Sequence, residues 1–260
     1  MYKLPGEKGK RIKVKVSLKH TLGQAVLPLK SVIFPSTCKI CGAFLESPEE
    51  KIVCGDCLSR VELHWGEVCQ VCGRFFYFRE GQSLTCQECL REQPVFTRHR
   101  AAGAYAGTWK QLIILFKYRR HESLKRPLVR LLLKSPEVDK MLKGVDQVIP
   151  VPLHPSREKE RGFNQSELLA VEIARSINQP VIRKVLIKTR KTLAQVSLEA
   201  EARKHNLAGA FEVRRPGKIA GKVILLVDDV FTTGSTCQEC ARVLLKAGAS
   251  EVRVLTLARA

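Results

Sequence analysis

Apolar residues recur along the chain with two different spacings. A continuous run at 223–227 (Val-Ile-Leu-Leu-Val) is short, β-branched and apolar on both faces, which predicts a strand buried in a parallel sheet. Residues 147–153 read as a second buried strand, interrupted by Pro150 and Pro152. Elsewhere the period lengthens to that of a helix. Leu169, Ile173 and Ile177 recur at i, i+4 and i+8, behind Asn164 as a cap and Glu167 closing a capping box. Residues 101–109 predict a small-residue strand leading into a helix with Leu112, Leu115 and Phe116 as its apolar stripe. Strands alternating with helices predict an α/β domain over 100–260, a parallel sheet flanked by helices.

Residues 36–95 break this pattern. Their apolar content is thin, and they hold eight of the ten cysteines as four Cys-x-x-Cys knuckles: Cys38/Cys41, Cys54/Cys57, Cys69/Cys72 and Cys86/Cys89, separated by 12, 11 and 13 residues. Gly42 and Gly73 follow the second cysteine of the first and third knuckles, where a tight turn brings backbone N–H groups toward the sulfurs. Eight thiols divide into two closed tetrahedral sites, the geometry of structural Zn2+, with an iron–sulfur cluster as the rival occupant. A module this poor in apolar residues needs the metal in order to fold. Sequential and cross-braced pairing of the knuckles fit the spacing equally well. Cys237 and Cys240 share the spacing but lie on a helical pattern, where they read as small core residues.

Charge changes the picture of partners. Lys and Arg number 45 against 25 acids, a formal charge of +20, which favours polyanions such as nucleic acid. Residues 1–35 read as a basic arm, since the first twenty hold seven Lys or Arg and no signal-peptide core. The apolar runs are too short to cross a bilayer, so the expectation is a cytoplasmic protein without membrane insertion.

The chemistry concentrates after the 223–227 run, in Asp228-Asp229-Val230-Phe231-Thr232-Thr233-Gly234-Ser235-Thr236. Two carboxylates at the C-terminal end of a strand suit ribose hydroxyls. A hydroxyl-rich turn that opens a helix suits a phosphate, through the N–H groups and positive dipole end. The combination asks for a phosphorylated ribose. A basic loop with His154, Arg157, Lys159 and Arg161 follows the second strand and suits a larger anion. Lys110, Lys117, Arg119 and Arg120 form a further basic cluster. Residues 188–211 carry Lys188, Arg190, Lys191, Arg203 and Lys204 with the amides of Gln195 and Asn206, which makes the segment basic and rich in donors. No Gly-x4-Gly-Lys-Ser/Thr is present, and no Ser-His-Asp or activated-cysteine constellation.

The stretch from Asp228 to Thr236 resembles the phosphoribosyl diphosphate (PRPP) signature of type I phosphoribosyltransferases. The resemblance implies that Asp228 and Asp229 hold the ribose 2′- and 3′-hydroxyls. It gives the 5′-phosphate to Thr232, Thr233, Gly234, Ser235 and Thr236, the pyrophosphate to Arg157, Lys159 and Arg161, and a closing loop to Gln195 and Arg203. Three further blocks narrow it. Val151-Pro152-Leu153-His154-Pro155 through Arg161-Gly162-Phe163-Asn164-Gln165-Ser166, the Thr192-to-Leu198 stretch with Arg203, Asn206 and Gly209-Ala210-Phe211, and the cysteine knuckles together resemble the ComF family of competence-associated proteins. That likeness covers roughly residues 32–260. It implies a phosphoribosyltransferase-like domain behind a zinc-ribbon module, two structural Zn2+, Mg2+ arriving with PRPP, and a role in DNA uptake with single-stranded DNA and a competence helicase as partners. Two other readings stay open: an active phosphoribosyltransferase with an unknown acceptor, and a PRPP sensor without turnover.

Overall fold

The computed structural model describes residues 36–45, 52–76, 84–118, 121–192 and 207–260. The basic arm, Arg119, Arg120 and the loop candidates Gln195, Arg203, Lys204 and Asn206 lie outside them.

The first described element is a short helix α1 (Gly55–Ser59), and α2 (Gln87–Arg91) is its counterpart one repeat later. Each begins at the third cysteine of a group of four, with Cys54 and Cys86 at the N-cap positions. Each group opens on a tight hairpin closed by one bridge, Thr37 with Phe44 and Val68 with Phe75. The first two knuckles and the last two are therefore repeats of one structure. Its pairing is sequential: the sulfurs of Cys38, Cys41, Cys54 and Cys57 converge within 4.8 Å, as do those of Cys69, Cys72, Cys86 and Cys89. Gly42 and Gly73 adopt φ of 79° and 64°, the left-handed turn that glycine enters without penalty.

From β1 (Arg98–Ala104) the chain becomes α/β. It continues through α3 (Gly107–Tyr118), α4 (Lys125–Leu132), α5 (Pro136–Leu142), β2 (Gln147–Pro150), α6 (Pro155–Arg161) and α7 (Gln165–Ser176). The strands β3 (Leu186–Lys188) and β4 (Phe211–Val213) form a small antiparallel pair. The chain ends with β5 (Val223–Phe231), α8 (Ser235–Lys246) and β6 (Glu251–Arg259). The main sheet has the order β1-β6-β5-β2, parallel throughout.

Side chains alternate across this sheet, as the two-residue period demands. Leu225, Val227, Leu255 and Leu257 face a core built with α3, α4, α5 and α7. Ile224, Leu226, Val252 and Val254 face the opposite core, with α8 and the β3–β4 pair. Both faces are covered, which is why the 223–227 run reads as continuously apolar.

Several expected elements shift in detail. Strand β2 stops at Pro150 rather than Leu153, because prolines at 150 and 152 have no N–H for the ladder. The buried stripe of α3 is Trp109, Leu112, Ile113 and Phe116, with Leu115 on its flank. Asn164 caps α7 by accepting from the Ser166 N–H at 3.0 Å, while Glu167 pairs with Arg183. Cys237 and Cys240 are buried in the core on α8, as expected.

Candidate functional site

Strand β5 carries its last residues past the neighbouring β2 and delivers Asp228 and Asp229 into a cavity of about 500 Å3. The same cavity is lined by Thr232, Gly234, Ser235 and Thr236 from the turn into α8, by His154, Arg157 and Arg161 at α6, and by Gln165 at the start of α7. Four of the five turn residues, two of the three basic residues and both acids thus meet in one place. Thr233 and Lys159 do not line it. Thr233 bonds Ser235 through its hydroxyl at 2.9 Å, fixing the turn from outside.

Lys159 fails to reach the cavity for a geometric reason. The expected basic loop is the helix α6, with Pro155 in its first turn and His154 accepting from the Ser156 N–H at its cap. On a helix, positions 157 and 161 share a face and 159 points away. Arg161 also lies 5.2 Å from the ring centre of Tyr118, which holds it at the cavity mouth.

The turn into α8 is shaped by packing from below. Gly234 is the N-cap of α8 at φ 76° and brings no side chain to that end, while the Thr233 hydroxyl reaches the Ser235 N–H at 3.5 Å. A Cβ there would lie 2.3 Å from Phe231 Cζ, so only glycine lets the turn rest on the Phe231 ring. A helix start whose cap residue has no side chain, opening on a cavity, has N–H groups and a dipole end suited to an anion.

The diacid is electrostatically uneven. Asp228 Oδ1 accepts from Ser166 Oγ at 2.8 Å and from the Asp229 N–H at 2.9 Å. Burial, and then the neighbouring Asp229, push its carboxyl up from 3.8 to about 7, against the pull of Lys117 and Ser166. Asp229 is buried, and its Oδ1 meets the Lys117 ammonium at 2.7 Å. Burial works against the Lys117 charge, yet Asp229 outweighs it and the ammonium is held above its usual range. Asp229 Oδ2 and Gln165 Oε1 are buried acceptors without a hydrogen-bond partner among the described residues.

Four cations (Arg157, Arg161, Lys188 and Lys191) line the cavity with the two carboxylates, and a fifth, Lys117, is in contact with Asp229 itself. The field therefore favours an anion that also carries hydroxyl donors. Sequence reasoning named Lys117 and Lys188 only as members of basic clusters and gave Ser166, Gln165, Tyr105 and Tyr118 no role. Ser166 and Gln165 stood in the quoted Gly162-to-Ser166 block. Nothing in the sequence marked the two tyrosines.

The cysteine groups fit tetrahedral metal. Four sulfurs at about 2.3 Å from a central Zn2+ are separated by about 3.8 Å. Cys38 to Cys57 is 3.8 Å, Cys41 to Cys54 is 3.7 Å and Cys72 to Cys86 is 3.6 Å. Backbone N–H groups of Cys54 and Cys86 point at the first sulfur of their group, at 3.4 and 3.3 Å. Burial opposes ionisation of Cys38, yet donors from Cys41, Cys54 and Ile40 bring it down to about 6. Cys69 falls to about 4, mainly through the Cys72 thiol, whose own ionisation is pushed up. Thiols this close ionise together only with a cation between them, and both sets suit a structural ion with no open position.

The second group is tied to the sheet beneath the phosphate turn. His99 on β1 is fully buried, with Nδ1 2.9 Å from the Cys72 carbonyl and Nε2 2.9 Å from Thr256 Oγ1. Burial pushes its ionisation down to about 3, so it is neutral and donates to the carbonyl through Nδ1. Its ring stacks on Phe231 with centroids 4.0 Å apart. Arg259 donates to the same Cys72 carbonyl at 2.6 Å and covers Phe231 at 4.8 Å.

Comparison with known proteins matches this architecture. Residues 29–90 fit the double zinc ribbon domain and residues 164–260 the phosphoribosyl transferase domain. The chain is 34% identical over 210 residues to the DNA utilization protein YhgH of Salmonella typhi, covering 75% of this chain and 91% of that one. It is 34% identical over 179 residues to competence protein F of Haemophilus influenzae, covering 67% and 78%. With competence protein ComFC of Bacillus subtilis it shares 31% over 227 residues, covering 83% and 87%. A sequential double zinc ribbon on a parallel phosphoribosyltransferase-type sheet, with relatives over most of its length, makes this chain a member of the ComF family of competence-associated proteins.

Proposed function

We propose that the cavity binds a phosphorylated ribose, PRPP or the terminal nucleotide of a nucleic acid, and that the protein handles single-stranded DNA during uptake. One observation carries the first half: Asp228, Asp229, the Gly234–Thr236 turn and the Arg157/Arg161 face line a single cavity. Ribose hydroxyls would donate to the diacid, the 5′-phosphate would sit at the start of α8, and the two arginines would take the pyrophosphate with any Mg2+ it carries. The formal charge of +20 and the names of the relatives support the second half.

Calorimetric titration of the zinc-loaded protein with PRPP and Mg2+, followed by competition with a short single-stranded oligonucleotide, tests both halves. Displacement of PRPP by the oligonucleotide is expected. Absence of PRPP binding would remove the site assignment. An oligonucleotide affinity that does not fall with salt would remove the DNA reading, because neutralised phosphates release counterions. Asp228→Asn with Asp229→Asn should weaken PRPP binding at least about tenfold, since charge-assisted hydrogen bonds contribute about 1.5–3 kcal/mol each.

Phosphoribosyl transfer is a second reading, favoured by the cations that face the diacid. They would stabilise a leaving pyrophosphate while the diacid held the ribose, and positioning and charge would supply the catalysis. Release of pyrophosphate on addition of an acceptor would establish it. PRPP binding with no release against any acceptor would leave a sensor.

A further inference from the structure

Lys117 has no task in the phosphoribosyl reading, yet it occupies the centre of the site. It projects from the last turn of α3 into the cavity and lies 2.7 Å from Asp229 Oδ1. Asp229 is 4% exposed, and its other oxygen has no hydrogen-bond partner among the described residues. Asp228 has separate support from the Ser166 hydroxyl and the Asp229 N–H. Lys117 is therefore the cation in contact with Asp229 among the described residues.

Two adjacent carboxylates facing a phosphate ester need compensating positive charge, because a buried unpaired charge is expensive. A divalent ion is one way to supply it. Mg2+ demands near-octahedral oxygen ligands and keeps several waters. Here one oxygen of Asp229 already holds an ammonium and the other is closed to solvent, which leaves a hydrated ion no room at that carboxylate, while the half-buried Asp228 is the member of the pair left open to a ribose hydroxyl.

We propose that Lys117 is the resident cation of the diacid, a positioning residue that keeps Asp229 charged and in place, so that the ribose 5-phosphate part of a ligand binds without a divalent metal. The proposal rests on the phosphoribosyl reading of the cavity. Any Mg2+ then belongs to the pyrophosphate of PRPP, as part of the ligand. Ribose 5-phosphate, which has no pyrophosphate, separates the two roles.

The test is calorimetric titration of the full-length, zinc-loaded protein with ribose 5-phosphate, in divalent-free buffer and again with millimolar Mg2+. Wild type should bind equally in both, within about twofold. Lys117→Gln should lose about tenfold or more in divalent-free buffer and regain part of it with Mg2+, which can then reach the vacated carboxylate. Lys117→Arg, which keeps the charge, should stay independent of Mg2+. Wild-type binding that appears only with Mg2+ would overturn the proposal and leave the phosphoribosyl reading intact. Unchanged binding by Lys117→Gln in divalent-free buffer would also overturn it. No binding by wild type in either buffer would take down both readings. Thermal melts confirm that each variant is folded at the titration temperature, and if Lys117→Gln is not, the Mg2+ dependence of wild type decides alone.

Discussion

The two cysteine groups share spacing, hairpin and helix, yet they are fastened to the domain by different forces. The first is welded in by apolar packing. Cys38, Val53, Cys54, Cys57 and Val61 belong to the same core as Trp109, Leu112 and Phe116 of α3. The second makes its own small cluster, with Val71 and Phe76 packed against its cysteines among the described residues. Polar side chains hold it instead: His99, Arg100 and Arg259 take the carbonyls of Cys69, Gln70 and Cys72. Hydrogen bonds to fixed carbonyls are directional in a way that apolar contacts are not. We expect the first ribbon to contribute mainly stability and the second to influence where Phe231 and the turn above it sit.

The largest effect should come from the first ribbon. Cys57→Ala removes a metal ligand and a buried core contact together, at a cost on the order of 4 kcal/mol or more. Calorimetric melting should show the whole domain unfolding at a markedly lower temperature. Cys72→Ala, in the second ribbon, should leave the main transition closer to wild type while it weakens ribose 5-phosphate binding. The opposite ranking would break the comparison.

Gly234→Ala strikes the same connection from the ligand side. The new methyl would meet the Phe231 ring at 2.3 Å in a left-handed conformation, so the turn must move. We expect a loss of stability of about 1–3 kcal/mol, by overpacking and strain, and a larger proportional loss of phosphate affinity. Equal affinity for ribose 5-phosphate in variant and wild type, by titration, would show that the turn does not seat the phosphate.

His99→Phe is gentler and more pointed. It keeps an aromatic ring on Phe231 but deletes both hydrogen bonds, while the Thr256 hydroxyl retains the Ala258 carbonyl at 3.1 Å and the Cys72 carbonyl retains Arg259 at 2.6 Å. The cost is about 0.5–1.5 kcal/mol for each hydrogen bond lost. Ribose 5-phosphate should bind several-fold more weakly while zinc content stays at two per chain. Weakened binding with full zinc would place the defect in the tie itself. Unchanged binding would reduce His99 to a packing residue.

How much of this was legible in the sequence follows from the range of each interaction. The β5 strand, its diacid and the turn lie within one short stretch, and local patterning fixes them. The knuckles were equally plain, but their pairing was not, because gaps of similar length suit either connectivity. Only the convergence in space of the Cys38, Cys41, Cys54 and Cys57 sulfurs, and of the Cys69, Cys72, Cys86 and Cys89 sulfurs, decides for sequential pairing. The error at Lys159 was avoidable, since a proline after a capping histidine announces the helix that turns it outward. Lys117 against Asp229 and His99 between Cys72 and Phe231 were not legible. They join segments distant in the chain, and single-sequence periodicity says nothing about which strand lies beside which helix.

A further expected effect concerns pH, and it sharpens the contrast between a rigid support and a responsive site. Asp228 ionises near 7 in the folded chain and near 3.8 otherwise. Between those values the folded state keeps a proton that the unfolded state has lost, so Asp228 makes stability fall as pH rises across that window. Ligand binding runs the other way. Ribose hydroxyls donate to the ionised carboxylate, so affinity should climb as pH passes through 7 and level off above it. The ligand phosphate ionises near 6 and adds its own rise. Asp228→Asn removes only the protein's share, so the wild-type affinity gain from pH 6 to 8 should exceed that of the variant by up to about tenfold. Parallel pH profiles for the two proteins would mean that Asp228 is already ionised at pH 6, and that Lys117 and Ser166 together hold its charge against burial.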